Sequence, residues 1–495
     1  MACVWQVSAA NFYIREAATG TRSGADWDNA YTNFNNISWG SVAAGDSIWL
    51  AGGTYQTLSV GASGTTNNPI YIARVRTTNT TPAAAAGWNS SYDSTVTIGG
   101  TAPVTVTGRD FITIDGQIPH AGILITNTAA TNDAFSRYAV NIASGSDYFT
   151  LKNTKIRLCN RAFNVGSSTY DRRCVNVSFS TANIAYGMYI GYNDMAEGDT
   201  IFSILYQTAM IVENNWFHDN NREAVTGPHQ NIWQSIGNTN ITFRYNLITN
   251  YQEECIMMCF IAVTDAPNDT WYIYGNLFAD GTEFSRILES QYVTNRNIHF
   301  YNNTIANTGF LAIRGSGTAN GGVWENCYST NNIMFNSGTG GGVGFGLGLD
   351  DYNITDGTTV GANSISSATS AMFVDENAWD YRISSTVSAT LPKNKGRTIT
   401  VSGQTISTDA DRDRSQRADY FNGRSRKCTR WRWVLGLGLS GRVGKSGRRL
   451  LHLSRLPIRQ RRETAQRSDH PPMRVALTIL LASGIWCGAV VPPVH

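Results

Sequence analysis

Charge is scarce in this 495-residue chain: Asp, Glu, Lys and Arg make up 15% of it, and only 12 residues are proline, against 42% hydrophobic residues and 47 glycines. Long surface helices need charge on their outer faces, so coiled coils and helical bundles are excluded, while the apolar content suffices for a large core. The first residues lack a basic stretch leading into an apolar run and a small-residue cleavage site, so no secretory leader is read there. The near-neutral net charge of +3 conceals two unlike parts. Residues 412–474 carry 18 cations against 4 acids, and the rest of the chain is net −11. An acidic body repels phosphate, which excludes a nucleic-acid partner for it.

The basic stretch runs into the mostly apolar Val475 to Val491, long enough on its own to read as a membrane anchor. Met473-Arg474 before that run instead resembles the start of a signal peptide, and Arg424 to Pro472 shows no hydrophobic periodicity. Residues 418–495 are therefore expected to be a disordered or out-of-frame tail, and a membrane is a partner only if the apolar end is genuine.

The body repeats itself. Met210-Ile-Val-Glu-Asn-Asn-Trp-Phe217, Ile241-Thr-Phe-Arg-Tyr-Asn-Leu-Ile248, Trp271-Tyr-Ile-Tyr-Gly-Asn-Leu-Phe278 and Ile298-His-Phe-Tyr-Asn-Asn-Thr-Ile305 share alternating apolar residues and an aligned asparagine. The markers Asn215, Asn246, Asn276, Asn303 and Asn332 are spaced by 31, 30, 27 and 29 residues. Looser copies, Phe111 to Gly116 and Phe149 to Thr154, extend the pattern upstream. Period-2 alternation argues for strands, and no unit carries a helical stripe able to cover a sheet. Such units bury their apolar face only against their neighbours, which is a β-solenoid with turns about 4.8 Å apart. The aligned asparagines are expected to stack their amides along the axis and to adopt the left-handed backbone of a sharp corner.

Asn11-Phe-Tyr-Ile-Arg15, Ala25-Asp-Trp-Asp-Asn-Ala-Tyr31, Gly45-Asp-Ser-Ile-Trp-Leu-Ala-Gly-Gly-Thr-Tyr55, the repeats, Phe373-Val-Asp375, Asp380-Tyr-Arg382 and Asp409 to Arg417 resemble the right-handed parallel β-helices of the pectate-lyase-like superfamily. The resemblance covers residues 11 to about 417. It implies an all-β right-handed parallel β-helix with an N-terminal cap: cap and first turns over 1–100, the helix proper over 101–417. It leaves function open, because such helices host lyases, hydrolases, epimerases, tailspikes and adhesins.

Counting from the markers places candidate chemistry in columns. Seven residues on stand Arg222, Glu253 and Glu283; eight on, Glu223 and Glu254; four on, Asp219, Asn250, Asp280 and Asn307. Carboxylates stacked about 5 Å apart raise each other's pKa or share a cation, and a carboxyl pair suits glycoside hydrolysis, one group as acid and the other as base or nucleophile. The stretch Thr226 to Gln234 interrupts the repeat beside this column, with His229 a candidate acid or base and Trp233 a platform for a sugar ring. Glu289 and Arg314 each follow an apolar pair and are expected in neighbouring turns. Lyases of the resembled kind use an Arg or Lys base with carboxylate-bound Ca²⁺; here only Lys152 and Lys155 lie within the repeats and no dense Asp cluster is seen, so the cofactor reading stops at Ca²⁺ as a candidate. Cys255 and Cys259 would sit about 13 Å apart on one strand, too far for a disulfide or a shared zinc, and read as buried small hydrophobes.

The expectation is a polysaccharide-degrading or polysaccharide-modifying enzyme, lyase or glycoside hydrolase, at the cell exterior or a virion surface. Glu223, Glu253, Glu283, Asp219 and His229 are the candidate catalytic residues, and Arg222, Glu254, Trp233, Glu289 and Arg314 the candidate substrate contacts. The rival is a non-catalytic adhesin or tailspike rod, for which a homotrimer is expected.

Overall fold

The computed structural model describes residues 9–127, 136–143, 145–157, 171–179, 183–220, 230–252, 254–259, 267–282, 285–291, 293–309, 313–314, 322–337, 345, 347, 350–357, 361–375, 380–384, 399–401 and 404–406. The basic tail from 418 lies outside the described residues.

The alternating segments form short strands, because every second side chain can be buried while its neighbour faces out. They assemble into three long parallel sheets. The first contains Ile112–Asp115, Thr150–Lys152, Tyr189–Gly191, Ile211–Glu213, Thr239–Arg244, Asp269–Tyr274 and Thr294–Tyr301. The second contains Thr154–Arg157, Asp194–Ala196, Trp216–His218, Leu247–Thr249, Leu277–Ala279, Thr304–Ala306 and Ile333–Phe335. The third contains Ser136–Ala143, Asp171–Ser178, Thr200–Leu205, Trp233–Ile236, Glu254–Met258, Arg286–Ser290 and Ile313–Arg314. The chain visits the three sheets in turn and returns to the first one strand further along, which is the right-handed parallel β-helix. Strand Asn11–Ile14 already pairs in parallel with Ser47–Leu50, so the first hundred residues contribute to the first sheet from Asn11 on.

Side chains pointing inward stack on their equivalents one coil away. Ile190, Val212, Phe243, Ile273 and Phe300 form one buried stack, and Met195, Phe217, Ile248, Phe278 and Ile305 another. Each such residue stabilises the fold by roughly 1.5–3 kcal/mol relative to exposure.

The marker asparagines do stack. Asn193, Asn215, Asn246, Asn276, Asn303, Asn332 and Asn353 are buried, and each Nδ2 from Asn193 to Asn332 donates to the next Oδ1 at 3.0–3.1 Å. Thr154 closes one end through its Oγ1 and backbone N, both donating to Asn193. The left-handed residue is the one before each marker, a correction to the expectation: Asn214, Tyr245, Gly275, Asn302 and Asn331 have φ of 54°, 56°, 61°, 52° and 59°. The corner needs the turn just ahead of the amide, so that the amide itself points inward.

The column four residues after the markers mixes acids and amides, as its sequence shows. Asp219, Asn250, Asp280, Asn307 and Asn336 all sit at φ of 48–55°. Acids and amides share the column: Asn250 donates to Asp219, Asn307 to Asp280 (3.1 Å) and Asn336 to Asn307 (2.7 Å). A second buried ladder, Asn238, Asn268 and Asn295, lines the corner from the third sheet to the first.

The outer face of the second sheet is apolar from Leu247 through Leu277, Ala279 and Ala306 to Ile333, and Ala368, Met372, Phe373 and Tyr381 pack on it. Tyr381 accepts from Asn307 Nδ2 at 3.1 Å, tying this C-terminal segment to the outer column.

Candidate functional site

The third sheet departs from period 2. Cys174 and Val175, Ile201 and Phe202, Ile232 and Trp233, Cys255 and Ile256, and Ile287 and Leu288 are adjacent pairs in which both members are buried in the core. A bend that turns two consecutive side chains inward leaves the residues on either side of them facing outward together. Arg173 Nη1 accordingly donates to Asn176 Oδ1 (2.8 Å) and Ser203 Oγ (2.7 Å) across the bend.

Three coils further along, the same geometry assembles two carboxyl groups on one guanidinium. Register sets Glu254 opposite Arg286 and Met257 opposite Glu289. Arg286 Nη1 donates to Glu254 Oε1 and to Glu289 Oε2, both at 2.6 Å, and Gln291 Nε2 donates to Glu289 Oε1 at 2.8 Å. Glu254 and Glu289 are each 2% exposed. Burial, and next the charge of Glu254, push the Glu289 carboxyl above its ordinary range, and a hydrogen bond to Glu254 adds to the shift.

A second network occupies the corner that leads from the second sheet into the third. His218 Nε2 lies 2.8 Å from Asp194 Oδ1 and His218 Nδ1 lies 2.7 Å from Asp219 Oδ2; Arg157 Nη2 donates to Asp194 Oδ1 at 2.6 Å. Burial pulls the His218 pKa down, but the bonds to Asp194 and Asp219 outweigh it and leave it above the ordinary value. For Asp194, burial is outweighed by the bond from His218 and the charge of Arg157, and its pKa is lowered. The Asp219 side chain is 37% exposed and that of Asp194 is 1% exposed, so the network runs from the interior to the surface. Trp216, half-buried, stacks on the imidazole with ring centroids 3.9 Å apart, its Nε1 donating to Thr249 Oγ1 at 3.0 Å. Asn250, which holds Asp219, precedes Glu254 by four residues in the chain.

The sequence candidates fall unevenly on this arrangement. Asp219 lies in the corner network, and Glu254 and Glu289 meet on Arg286. Trp233 is no sugar platform: it is fully buried, between Phe202, Phe243 and Trp271, because it begins a third-sheet strand and points inward. Glu289 and Arg314 are register partners in adjacent strands, as the spacing implied; the Arg314 side chain lies outside the described residues. Glu223, Glu253, Glu283, His229 and Arg222 also lie outside them. His218, Asp194, Arg157, Arg286, Gln291 and Trp216 were missed. His218 stands three residues after Asn215 and Asp194 one after Asn193, whereas the coils after them hold Thr249 and Ala279 in the first column and Trp216, Leu247 and Leu277 in the second, and that contrast was the available signal. Cys255 and Cys259 are buried free thiols. Among the described residues no three or more His, Cys, Asp or Glu side chains form a group that could hold a metal, and no helix is long and apolar enough to cross a membrane.

No family model and no curated protein matches the chain. Solved structures similar to it include pectate lyase Pel9A, 15% identical over 82% of this chain and 97% of that one, TM-score 0.46. Others are a GH136 lacto-N-biosidase from Eubacterium ramulus, 9% identical over 72% of this chain and 67% of that one, TM-score 0.38, and the PL6 family polysaccharide lyase Pedsa3628 from Pseudopedobacter saltans, 13% identical over 67% and 83%, TM-score 0.36. These are likenesses of fold. Three parallel sheets, visited in turn and joined by asparagine ladders, make the chain a right-handed parallel β-helix protein.

Proposed function

We propose that the protein is a polysaccharide-active enzyme, a glycoside hydrolase whose proton donor is Glu289. The observation that carries this reading is the Glu254–Arg286–Glu289 cluster, in which burial and the neighbouring Glu254 raise the pKa of the Glu289 carboxyl. A general acid has to hold its proton near neutral pH and release it to the leaving glycosidic oxygen, which this environment favours. Glu254, held on the same guanidinium, raises the pKa of the acid. Two carboxyls in contact cannot sit on opposite faces of a sugar, where about 5–9.5 Å is needed, so the group that activates water or attacks the anomeric carbon comes from elsewhere. Glu253, adjacent in sequence to Glu254, and Glu283, three residues before Arg286, are the proposed partners.

The test is a panel of neutral and uronic-acid polysaccharides, with and without Ca²⁺, assayed for new reducing ends and for unsaturated products, wild type beside Glu289→Gln. Reducing ends without unsaturation, lost in the variant by 10²-fold or more, support the hydrolase. Unsaturated products would make it a lyase, and a folded wild type that cleaves nothing would favour the adhesin or tailspike rod.

A further inference from the structure

The geometry points to a one-sided substrate track: a trough of six coils on the outer face of the third sheet that seats an extended glycan on one side of Glu289 alone, with Asn231 holding a sugar two coils from the acid. This rests on the hydrolase reading above and adds the binding mode of that same site. The bend that turns two neighbouring side chains inward is confined to consecutive coils, from Ala139 and Val140 to Ile287 and Leu288. The coil before them keeps plain alternation, with Val104 and Val106 buried and Thr105 half-buried between them. Each bend leaves one side chain facing outward on either side of it, so two columns line a trough. The first runs through Tyr138, Arg173, Thr200, Asn231, Glu254 and Arg286, tied by register and by the bonds from Ile201 N to Asn231 O and from Ile232 N to Glu254 O. The second lies three residues further on in every coil, from Asn141 to Glu289, and Met257 is its one apolar member.

Length and position set the binding mode. The steps between coils, about 4.8 Å each, make a track about 24 Å long, and a sugar unit in an extended chain spans about one coil, so about five units fit. Glu289 stands on the last coil of the track. Beyond it the third sheet has, among the described residues, only the strand Ile313–Arg314. The polar columns therefore lie on one side of the acid, and binding energy from units remote from the cut is drawn from that side. Asn231 supplies an acceptor there. It is 1% exposed, its Nδ2 donates to the thioether Met257 Sδ at 3.6 Å, and its buried Oδ1 has no donor among the described residues. A buried acceptor is costly to leave unmet, so an outward-facing amide in that state is kept for a hydroxyl that the glycan brings. Asn141, Arg173, Gln234 and Arg286, all half-buried, are the members of the track that reach solvent.

The experiment has two arms on the full chain, each variant first checked for the wild-type circular dichroism spectrum. Cello-, manno-, xylo- and galacturono-oligosaccharides of two to eight units, labelled at the reducing end, are digested and the product lengths read. Binding is read by retardation in native gels containing a β-glucan, a galactomannan, an arabinoxylan or polygalacturonate. The expected result is a kcat/KM that rises with length to about six units in at least one series, and a hexamer cut mainly into five units and one. Glu289→Gln should lose cleavage at every length and keep its retardation. Asn231→Leu should weaken retardation and raise the hexamer KM by about 10-fold, with little effect on kcat. A hexamer cut mainly in its middle, or a rate independent of length, overturns the track and leaves the hydrolase reading intact; this wild-type pattern decides the track even where Asn231→Leu does not fold. Unchanged retardation and KM in Asn231→Leu overturn the role of that amide. Unsaturated products in the five-and-one pattern overturn the hydrolase and leave the track standing. No cleavage of any series overturns track and hydrolase together.

Discussion

Replacing Asn276 by alanine removes the middle rung of the buried ladder. Its Oδ1 accepts from Asn246 N (2.9 Å) and Asn246 Nδ2 (3.1 Å), and its Nδ2 donates to Phe243 O (2.9 Å) and Asn303 Oδ1 (3.0 Å). Asn246 and Asn303 keep other partners for their amides, through Val212 O and the Asn276 backbone N respectively, but the buried Asn246 N–H loses its acceptor and Phe243 O one of its donors. A stranded buried group costs about 1–3 kcal/mol, so the Asn246 N–H, with the bond lost at Phe243 O and the small void left by the amide, comes to about 3 kcal/mol. That is a large fraction of the stability of an ordinary domain. A stack of coils need not unfold in one step, so the measurement pairs thermal denaturation with hydrogen exchange at the Asn246 amide. Protection there should fall by about two orders of magnitude or more and the melting temperature should drop. Asn336→Gly is the matched control: it removes an exposed bond in the outer column at a position with φ of 48°, which glycine adopts freely, and should change stability by about 0.5 kcal/mol or less. If Asn276→Ala lost less than about 1 kcal/mol, or no more than the control, the ladder would be a by-product of stacking rather than a cause of it.

Three further outcomes are expected. Trp233→Leu should lower stability by about 2–4 kcal/mol through the space left among Phe202, Phe243 and Trp271, with carbohydrate retardation unaltered, which a sugar platform would not allow. Because the folded-state pKa of His218 is raised, its stabilisation is complete below about pH 6.5 and fades as pH rises through the raised value; the melting-temperature gap between wild type and His218→Gln, followed from pH 5.5 to 9, should narrow on the alkaline side. The raised pKa of Glu289 has the same sign: stability carried by the protonated acid is complete below about pH 4.3 and is lost as pH rises through the shifted value, so Glu289→Gln should gain on wild type between pH 4 and 8.

The repeat was legible because a buried amide that must meet its copy in the next coil cannot drift in sequence relative to the strands around it. The same logic exposes the second ladder: Asn238, Asn268 and Asn295 stand eight residues before Asn246, Asn276 and Asn303, a column hidden only because a single marker was aligned. Trp233 was misread through its neighbours. Thr226 to Gln234 look like an inserted loop, but Trp233–Ile236 form a strand whose first residue, Trp233, is inward and pairs with Phe202 and Ile256. The carboxyl pair could not be found by counting. Glu254 lies eight residues after its marker and Arg286 ten after its own, since the corner between the second and third sheets varies in length, and the bend then shifts the inside–outside phase by one residue.

The constancy of the ladders beside the variability of that corner gives the molecule a unit of inheritance. Joining Asn246 directly to Leu277 deletes 30 residues, yet leaves a leucine after a ladder asparagine, as before, and brings Asn246 to Asn303 as its next rung. A change of a few residues is absorbed where the corner is already elastic, and a change of a whole coil is absorbed by the stack. Length in this protein is thus counted in rungs, so that lineages can lengthen or shorten it by duplication and loss without having to solve the folding problem again.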